Sequence, residues 1–179
     1  MSAKSKLKGN AFEYRVLHYM ESHEGWSKSK RQALSGATHY SEDKSDLIGT
    51  YRTIDFLIEC KKTGKDKMQF HVKWMEDNKF KASKINRVPI LTFSGSHKPI
   101  FVMIDHEIFN LINMDYIIIR DFECRASKVI TMHFDKIIPL LKGQANESDK
   151  LKGVRFLHKY IMVELEELTK FIDLSLKRP

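Results

Sequence analysis

Cysteine is scarce in this sequence of 179 residues, which contains only Cys60 and Cys124. Two distant cysteines are too few for a disulfide framework or a zinc site, and free thiols fit a reducing cytoplasm. No apolar run approaches the roughly 20 residues that a membrane-spanning helix requires, and the polar, lysine-rich start is unlike a secretory signal peptide. The histidines show no H-x-x-x-H spacing of the kind that binds zinc. We therefore expect a cytoplasmic protein without a membrane partner.

Apolar and aromatic residues, by contrast, are plentiful. Hydrophobic residues make up 42% of the chain, which includes 11 Phe, 6 Tyr and 2 Trp. This composition argues against disorder, and the length is sufficient to bury a core. A polar stretch over residues 143–152 interrupts the pattern near the end of the chain. We therefore expect a main domain over residues 1–145 and a helical extension over residues 146–179.

Basic residues exceed acidic residues in the first part of the chain. The formal net charge is +8. Residues 1–100 contain 19 Lys or Arg against 11 Asp or Glu, whereas residues 101–179 contain 12 of each. A basic surface attracts polyanions, so the first part is expected to hold a polyanion-binding face. Many unrelated proteins are basic, and the charge by itself assigns no function.

The stretch from Asp46 to Lys61 has the pattern of a β-hairpin. If its turn is centred between Arg52 and Thr53, Asp46 lies directly opposite Glu59, because their numbers are symmetric about that point. Residues paired in this way point to one face, and Lys61 shares that face because side chains alternate along a strand. Facing carboxylates repel each other unless a cation neutralises them, and Mg²⁺ prefers carboxylate oxygens. The alternative is a surface hairpin with an ordinary Glu–Lys pair.

Helical and extended patterns alternate around this hairpin. A helix is predicted from about Asn10 to Ser22, with an apolar stripe and Glu13 at the edge of that stripe. A second helix is predicted over about residues 69–84, with imperfect periodicity. Short β-rich runs follow, separated by a turn signal. We therefore expect an α/β fold with a mixed central β-sheet flanked by helices.

A long C-terminal helix is predicted over residues 151–176. Its apolar residues recur at spacings of 3, 4, 4, 3 and 4, which is a heptad-like stripe. The stripe either packs onto the body of its own domain or forms the seam of a dimer. It comprises Val154, Leu157, Ile161, Leu165, Leu168 and Ile172.

Three features of the first part of the chain occur in a fixed order. Lys8-Gly9 is followed by Glu13, then Arg31 and Ser35-Gly36 precede the hairpin, and the hairpin carries Asp46-Leu47-Ile48 and Ile58-Glu59-Cys60-Lys61. This set resembles the archaeal Holliday-junction resolvases within the PD-(D/E)XK nuclease superfamily. The resemblance covers about residues 8–105 and implies a restriction-endonuclease-like core. The loop before Asp46 is longer than is usual in that family, and Tyr14 stands where its members tend to have arginine.

The resemblance also implies roles for particular residues. Asp46 and Glu59 would bind Mg²⁺, with Mn²⁺ as a substitute, and the Cys60 carbonyl is a plausible third ligand. Glu13 would assist the metal site or bind a second ion, and Lys61 would support the attacking water. These assignments make Glu13, Asp46, Glu59 and Lys61 the expected catalytic residues. The residues expected to hold the substrate are Arg15, Lys30, Arg31, Ser35, Lys62, Lys65 and Lys67.

The expected activity is that of a Mg²⁺-dependent, structure-selective DNA endonuclease in recombination and repair. Its expected substrate is branched DNA, above all the four-way junction. The expected assembly is a homodimer, because two symmetric nicks require two active sites. Two alternatives share the same sequence pattern: a restriction- or repair-type endonuclease of the same fold, and a DNA-binding module that does not cleave.

Overall fold

A computed structural model of the chain describes residues 3–32, 45–111, 116–122, 129–142, 151–156 and 159–176. Ten strands and five helices lie within these ranges. The strands are β1 (Trp26–Arg31), β2 (Leu47–Tyr51), β3 (Ile54–Lys62), β4 (Lys67–His71), β5 (Val88–Ser94), β6 (Phe101–Asp105), β7 (Tyr116–Phe122), β8 (Val129–His133), β9 (Leu151–Phe156) and β10 (Tyr160–Glu164). The helices are α1 (Ala3–Ser22), α2 (Val72–Lys84), α3 (His106–Leu111), α4 (Phe134–Lys142) and α5 (Leu165–Leu176).

The chain divides into two compact units, the first of which comprises Met1–Lys62 and Lys73–Phe93. Its strands are ordered β1, β2, β3 and β5, with antiparallel pairing from β1 through β3. Helix α1 packs against β1, β2 and β3, and its Phe12, Val16 and Met20 side chains are almost completely buried. The apolar stripe predicted for this helix is thereby confirmed. Burial of each such side chain contributes about 1.5–3 kcal/mol.

Strands β2 and β3 form the hairpin predicted from the sequence. Leu47 pairs with Ile58 and Tyr51 pairs with Ile54, so the register is symmetric about the point between residues 52 and 53. Arg52 lies in the turn with a positive φ of 54°. The register therefore confirms the turn centre on which the pairing of the two carboxylates depends.

Gly49 allows α1 to lie close over the hairpin. A Cβ atom at this position would collide with the end of the Met20 side chain and lie 3.2 Å from the Trp26 ring. Met20 is itself buried, so the end of its side chain would have to repack to make room. Glycine in the middle of β2 allows this close approach without repacking.

Asn78 fixes α2 on the strands of the first unit. Its buried side-chain amide donates hydrogen bonds to the carbonyl of Leu57 in β3 at 3.3 Å and to the carbonyl of Ile90 in β5 at 3.0 Å. Met75 and Ala82, on the same face of the helix, are also buried. Because the two carbonyls belong to neighbouring strands, this one side chain sets where α2 crosses β3.

The second unit comprises Thr63–Val72 and Ser94–Pro179. Its sheet is mixed: β6, β10 and β9 pair antiparallel in that order, and β9 pairs with β7 in parallel. Strands β4 and β8 form a separate two-stranded antiparallel ladder. Phe70 of β4 contacts Tyr160 of β10 with ring centroids 5.7 Å apart. These buried rings join the ladder to the sheet of the same unit.

The predicted α/β class, with a mixed sheet and flanking helices, is confirmed by these elements. Of the helices within the described ranges, none combines the length and the apolar character needed to span a membrane. The domain boundary expected near residue 145 stays a prediction.

The predicted C-terminal helix is present, but it begins at Leu165 and not at residue 151. The prediction is wrong for residues 151–156 and 160–164, which form β9 and β10. Four consecutive residues of β10 are buried, and a strand buried on both faces gives an apolar run that helical spacing also fits. Leu165, Leu168 and Ile172 of α5 are buried within the chain, which favours packing onto its own domain over a dimer seam.

Two further helix boundaries differ from the prediction. Helix α1 begins at Ala3, well before the predicted start near Asn10. The helix predicted from residue 69 begins at Val72, because the preceding residues form β4. Met68 and Phe70 are buried and alternate with exposed neighbours, and this two-residue period is that of a strand.

Candidate active site

Asp46 immediately precedes β2, where the hairpin register places it opposite Glu59. Its Oδ2 atom accepts a hydrogen bond from the backbone N–H of Cys60 at 2.7 Å. The preceding residue, Ser45, is buried, and its hydroxyl donates to the carbonyl of Ile58 at 2.6 Å. These two bonds hold the Asp46 carboxylate against β3.

Glu59 and Lys61 lie two residues apart on β3 and point to one face. The Nζ atom of Lys61 lies 2.5 Å from Oε1 of Glu59. The side chains are partly buried, with exposed fractions of 16% for Glu59 and 26% for Lys61. The Trp74 ring of α2 lies 5.3 Å from the same ammonium group, a cation–π distance. The amine is therefore held between a carboxylate and an aromatic face.

The charge on Asp46 is unfavourable in its surroundings. The pKa of this carboxyl is raised to about 6, first by burial and next by the negative charge of Glu59, with a smaller contribution from Glu13. The Cys60 N–H and the Lys61 ammonium act in the opposite direction. The Asp46 carboxylate is therefore held in place by a hydrogen bond, but the positive charge near it does not offset its burial and the repulsion from Glu59.

Arg31 of β1 holds Glu13 of α1. Its Nε donates to Oε2 of Glu13 at 2.5 Å, and its Nη2 donates to Oδ1 of Asn10 at 2.9 Å. The guanidinium carbon also lies 4.9 Å from the Tyr14 ring centre. The hydrogen bond to Glu13 is the main cause that raises the pKa of Arg31. The charge of Glu13 also makes a small contribution to the raised pKa of Asp46, whereas the guanidinium of Arg31 is engaged by α1.

Comparison with known protein families adds an independent observation. Residues 4–147 match the family model described as "Phage putative PDDEXK endonuclease". The chain belongs to this family. The resemblance to PD-(D/E)XK nucleases is thereby confirmed, together with the restriction-endonuclease-like core that it implies, and the chain is an endonuclease of this fold.

The other comparisons are less specific. No protein with a curated description matches this PDDEXK endonuclease. Among solved structures, it is similar to Hjc of Archaeoglobus fulgidus, described as a Holliday junction resolvase from an archaeal hyperthermophile. The TM-score is 0.44 and the identity is 15%, over 52% of this chain and 74% of that chain. Structural similarity at this TM-score and identity does not identify the substrate of this chain.

Several residues predicted to hold the substrate are exposed in the first unit of the PDDEXK endonuclease. Arg15 lies on α1, Lys30 on β1 and Lys62 at the end of β3, each with an exposed side chain. Exposed cations can contact a polyanion, but exposure alone does not show that these residues bind one. Ser35 lies outside the described residues.

The two remaining predicted lysines belong to the second unit. Lys65 and Lys67 are exposed and line an open cleft of about 460 Å³. A salt bridge of 3.7 Å joins Lys98 and Asp66 at the same cleft. The lining therefore mixes both signs of charge. Its other members are Asp66, Lys98, His133 and Asp135.

The sequence prediction missed two residues that the structure places at the hairpin face. Trp74 contacts Lys61 as described, and Lys81 Nζ lies 3.9 Å from Oε2 of Glu59. Both belong to α2. The start of that helix could not be predicted firmly from its imperfect periodicity, and without its register neither side chain could be assigned to the site.

The donor set fits a hard divalent cation. Asp46 and Glu59 supply carboxylate oxygens and the Cys60 carbonyl supplies a neutral one, which is the donor type that Mg²⁺ prefers. Burial raises the pKa of the Cys60 thiol, and the Thr92 hydroxyl donates to its sulfur at 3.2 Å, so the sulfur is not a ligand. Within the described ranges, no three or more His, Cys, Asp or Glu side chains form a ready metal cluster. Water would therefore complete the coordination, as is usual for Mg²⁺.

Proposed function

We propose that this endonuclease hydrolyses DNA with a divalent metal ion, Mg²⁺ or Mn²⁺, and that its substrate is branched DNA. The observation that carries the proposal is the hairpin register: beyond the Leu47–Ile58 pair, the next opposed positions are Asp46 and Glu59, and Lys61 is bound to Glu59. An ordinary exposed Glu–Lys pair contributes only about 0.2–1 kcal/mol. Such a pair gives no reason for a second, partly buried carboxylate with a raised pKa on the same face.

Phosphodiester hydrolysis requires an attacking water, charge relief on the phosphoryl oxygens and stabilisation of the leaving oxygen. Asp46, Glu59 and the Cys60 carbonyl would hold a divalent ion, which would supply the charge relief and help to activate the water. The N–H bond from Cys60 orients the Asp46 carboxylate and leaves one of its oxygens for a ligand. Lys61 orients the nucleophile or neutralises charge that develops on the phosphate. Glu13 orients water at the edge of the same centre.

The preference for a four-way junction rests on the order of the motif. Lys8-Gly9, Glu13, Asp46, Glu59 and Lys61 follow each other as in the archaeal Holliday-junction resolvases. A junction is resolved by two symmetric nicks, so a homodimer with two active sites is part of the proposal. The excess of basic residues in residues 1–100 supports a polyanionic substrate.

A cleavage assay on three DNA forms tests the proposal. The protein is incubated with end-labelled four-way junction, flayed duplex and linear duplex, each with Mg²⁺ and with EDTA. We expect paired symmetric nicks on the junction in Mg²⁺ only. Cleavage of linear duplex alone would instead indicate a restriction- or repair-type endonuclease. Binding without metal-dependent cleavage would overturn the hydrolytic function.

Carboxylate variants assign the chemistry to the hairpin. Asp46→Asn and Glu59→Gln should each reduce cleavage by at least roughly 10²-fold while DNA binding persists. Asp55→Asn is the matched control, because Asp55 is an exposed carboxylate on the same strand that accepts a hydrogen bond from Thr50. An Asn keeps that acceptor, so cleavage should be unchanged. Normal cutting by either site variant would refute the site assignment.

A further inference from the structure

A second lysine approaches Glu59 from helix α2. The Nζ atom of Lys81 lies 3.9 Å from Oε2 of Glu59, and Lys61 binds the other oxygen, Oε1. The exposed fraction is 26% for each of the two lysine side chains, so both are partly buried and still reach solvent. One carboxylate is therefore placed between two ammonium groups that come from different elements of the first unit.

The position of Lys81 follows from the anchoring of α2. Asn78 donates to the Leu57 carbonyl of β3, and Lys81 follows Asn78 by three residues on the same flank of the helix. Glu59 follows Leu57 by two residues on β3. The step from Asn78 to Lys81 along α2 is similar in length to the step from Leu57 to Glu59 along β3. Lys81 is therefore brought over Glu59.

The geometry of the Lys81 contact is that of a loose ion pair. At 3.9 Å the nitrogen and oxygen are beyond the 2.7–3.2 Å of a hydrogen bond, whereas Lys61 is at 2.5 Å. The Lys81 side chain reaches solvent, and a long ion pair that solvent screens contributes little to stability. The contact therefore costs little to break, and the flexible lysine stem can move its charge towards an incoming anion.

The formal charges explain when such a movement would occur. Without a metal ion, the charges of Asp46, Glu59, Lys61 and Lys81 cancel. When the Glu59 carboxylate shares its charge with a divalent ion, its attraction for both ammonium groups weakens. A phosphodiester then offers negative oxygens to the ammonium group, and phosphate is a common partner of lysine.

We propose that Lys81 is a second cationic residue of the active site, which contacts a non-bridging oxygen of the scissile phosphate. This inference rests on the proposed nuclease function. In the reaction the water oxygen bonds to phosphorus and the bond from phosphorus to the leaving oxygen breaks. One water proton ends on the leaving oxygen, and the other stays on the phosphate monoester or passes to solvent. Lys81 exchanges no proton in this scheme. It stabilises the charge that builds on the phosphoryl oxygens.

Lys81→Met tests the contact, because it removes the charge and keeps most of the side-chain length. Single-turnover cleavage at saturating DNA and Mg²⁺ should slow by about 10- to 100-fold, the usual effect of losing a hydrogen bond to a charged group. Lys81→Arg, which keeps the charge, should restore the rate to within about 5-fold. Lys73→Met is the control, since Lys73 is an exposed lysine of the same helix. It should cleave at the wild-type rate.

Metal affinity separates this role from mere support of Glu59. The affinity for Mn²⁺ is measured by titration calorimetry in the absence of DNA. It should be the same or higher in Lys81→Met than in the wild type, because a positive charge near a ligand oxygen has been removed. Weaker Mn²⁺ binding, with the cleavage rate restored by excess metal, would overturn the inference. So would a Lys81→Met rate equal to that of Lys73→Met. Absence of cleavage by the wild-type protein would instead overturn the proposed function, and this inference with it.

Discussion

Replacing Asp46 by Asn should stabilise the metal-free protein even though it abolishes cleavage. The wild-type carboxylate is ionised at neutral pH in a site where burial and the charge of Glu59 disfavour ionisation. An Asn side chain has nearly the same shape and no charge. Its carbonyl oxygen can still accept the N–H of Cys60, which Asp46 accepts at 2.7 Å. The substitution therefore removes a repulsion and keeps the hydrogen bond.

The size of the effect follows from the pKa of this carboxyl. Its value rises from 3.8 to about 6 on folding. Each pKa unit corresponds to about 1.4 kcal/mol, so the ionised group costs at most about 3 kcal/mol of folding free energy at pH 7.5. Rearrangement around the charge lowers this figure, and we expect a gain of about 1–3 kcal/mol for Asp46→Asn. For a chain of this length, each 1 kcal/mol corresponds to a midpoint shift of roughly 2–4 °C.

The same reasoning fixes the pH dependence. Between pH 3.8 and 6 the folded state holds a proton on Asp46 that the unfolded state has released, so wild-type stability falls as the pH rises through this window. The Asn variant has no such proton. The stability difference between the two proteins should therefore be largest above pH 6 and shrink as the pH falls towards 4.

Thermal and urea unfolding in EDTA, from pH 4.5 to 7.5, measure this difference. Asp55→Asn, which changes an exposed carboxylate on the other strand of the hairpin, should stay within about 0.5 kcal/mol of wild type. Addition of Mg²⁺ should then stabilise wild type more than Asp46→Asn, since a ligand that binds only the folded state stabilises it. An Asn variant that is no more stable than wild type in EDTA at pH 7.5 would refute the electrostatic account of Asp46.

Three other predictions concern the framework of the site. Gly49→Ala should lower the free energy of unfolding by about 1–3 kcal/mol in urea titrations, because the new methyl group collides with buried Met20; an unchanged midpoint would contradict this packing. Asn78→Leu should cost about 2–5 kcal/mol by the same measurement, since two carbonyls lose their donor, and a loss below 0.5 kcal/mol would contradict the anchoring of α2. Arg31→Lys should slow single-turnover cleavage about 3- to 30-fold and leave DNA affinity unchanged, because Lys lacks the planar guanidinium that holds Glu13. A loss of DNA affinity alone would show instead that Arg31 contacts the substrate.

The sequence was most informative where local geometry determines the structure. The hairpin could be predicted because one turn centre fixes the whole register, and Asp46 and Glu59 are symmetric about it. The buried stripe of α1 could be predicted because helical spacing alone brings its members to one face. The family resemblance added Glu13, for which the helix pattern alone gave no functional reason.

Features that depend on tertiary packing could not be predicted. The residues of β10 satisfy both a helical stripe and a doubly buried strand, and only their pairing with β6 selects the strand. The start of α2 was uncertain, so the contacts of Trp74 and Lys81 with the hairpin could not be predicted from the sequence. The sequence also suggested Arg31 as a substrate contact, whereas in the structure its guanidinium binds Glu13 and Asn10.

A double-mutant cycle on DNA cleavage tests most directly whether the two hairpin carboxylates form a single hydrolytic centre. Single-turnover rates are measured for wild type, Asp46→Asn, Glu59→Gln and the double variant over a range of Mg²⁺ concentrations. Residues that act as a unit are strongly non-additive, so we expect the double variant to be no slower than either single variant. Independent, multiplying losses, or a Glu59→Gln protein that reaches the wild-type rate at high Mg²⁺, would contradict the existence of a shared metal centre.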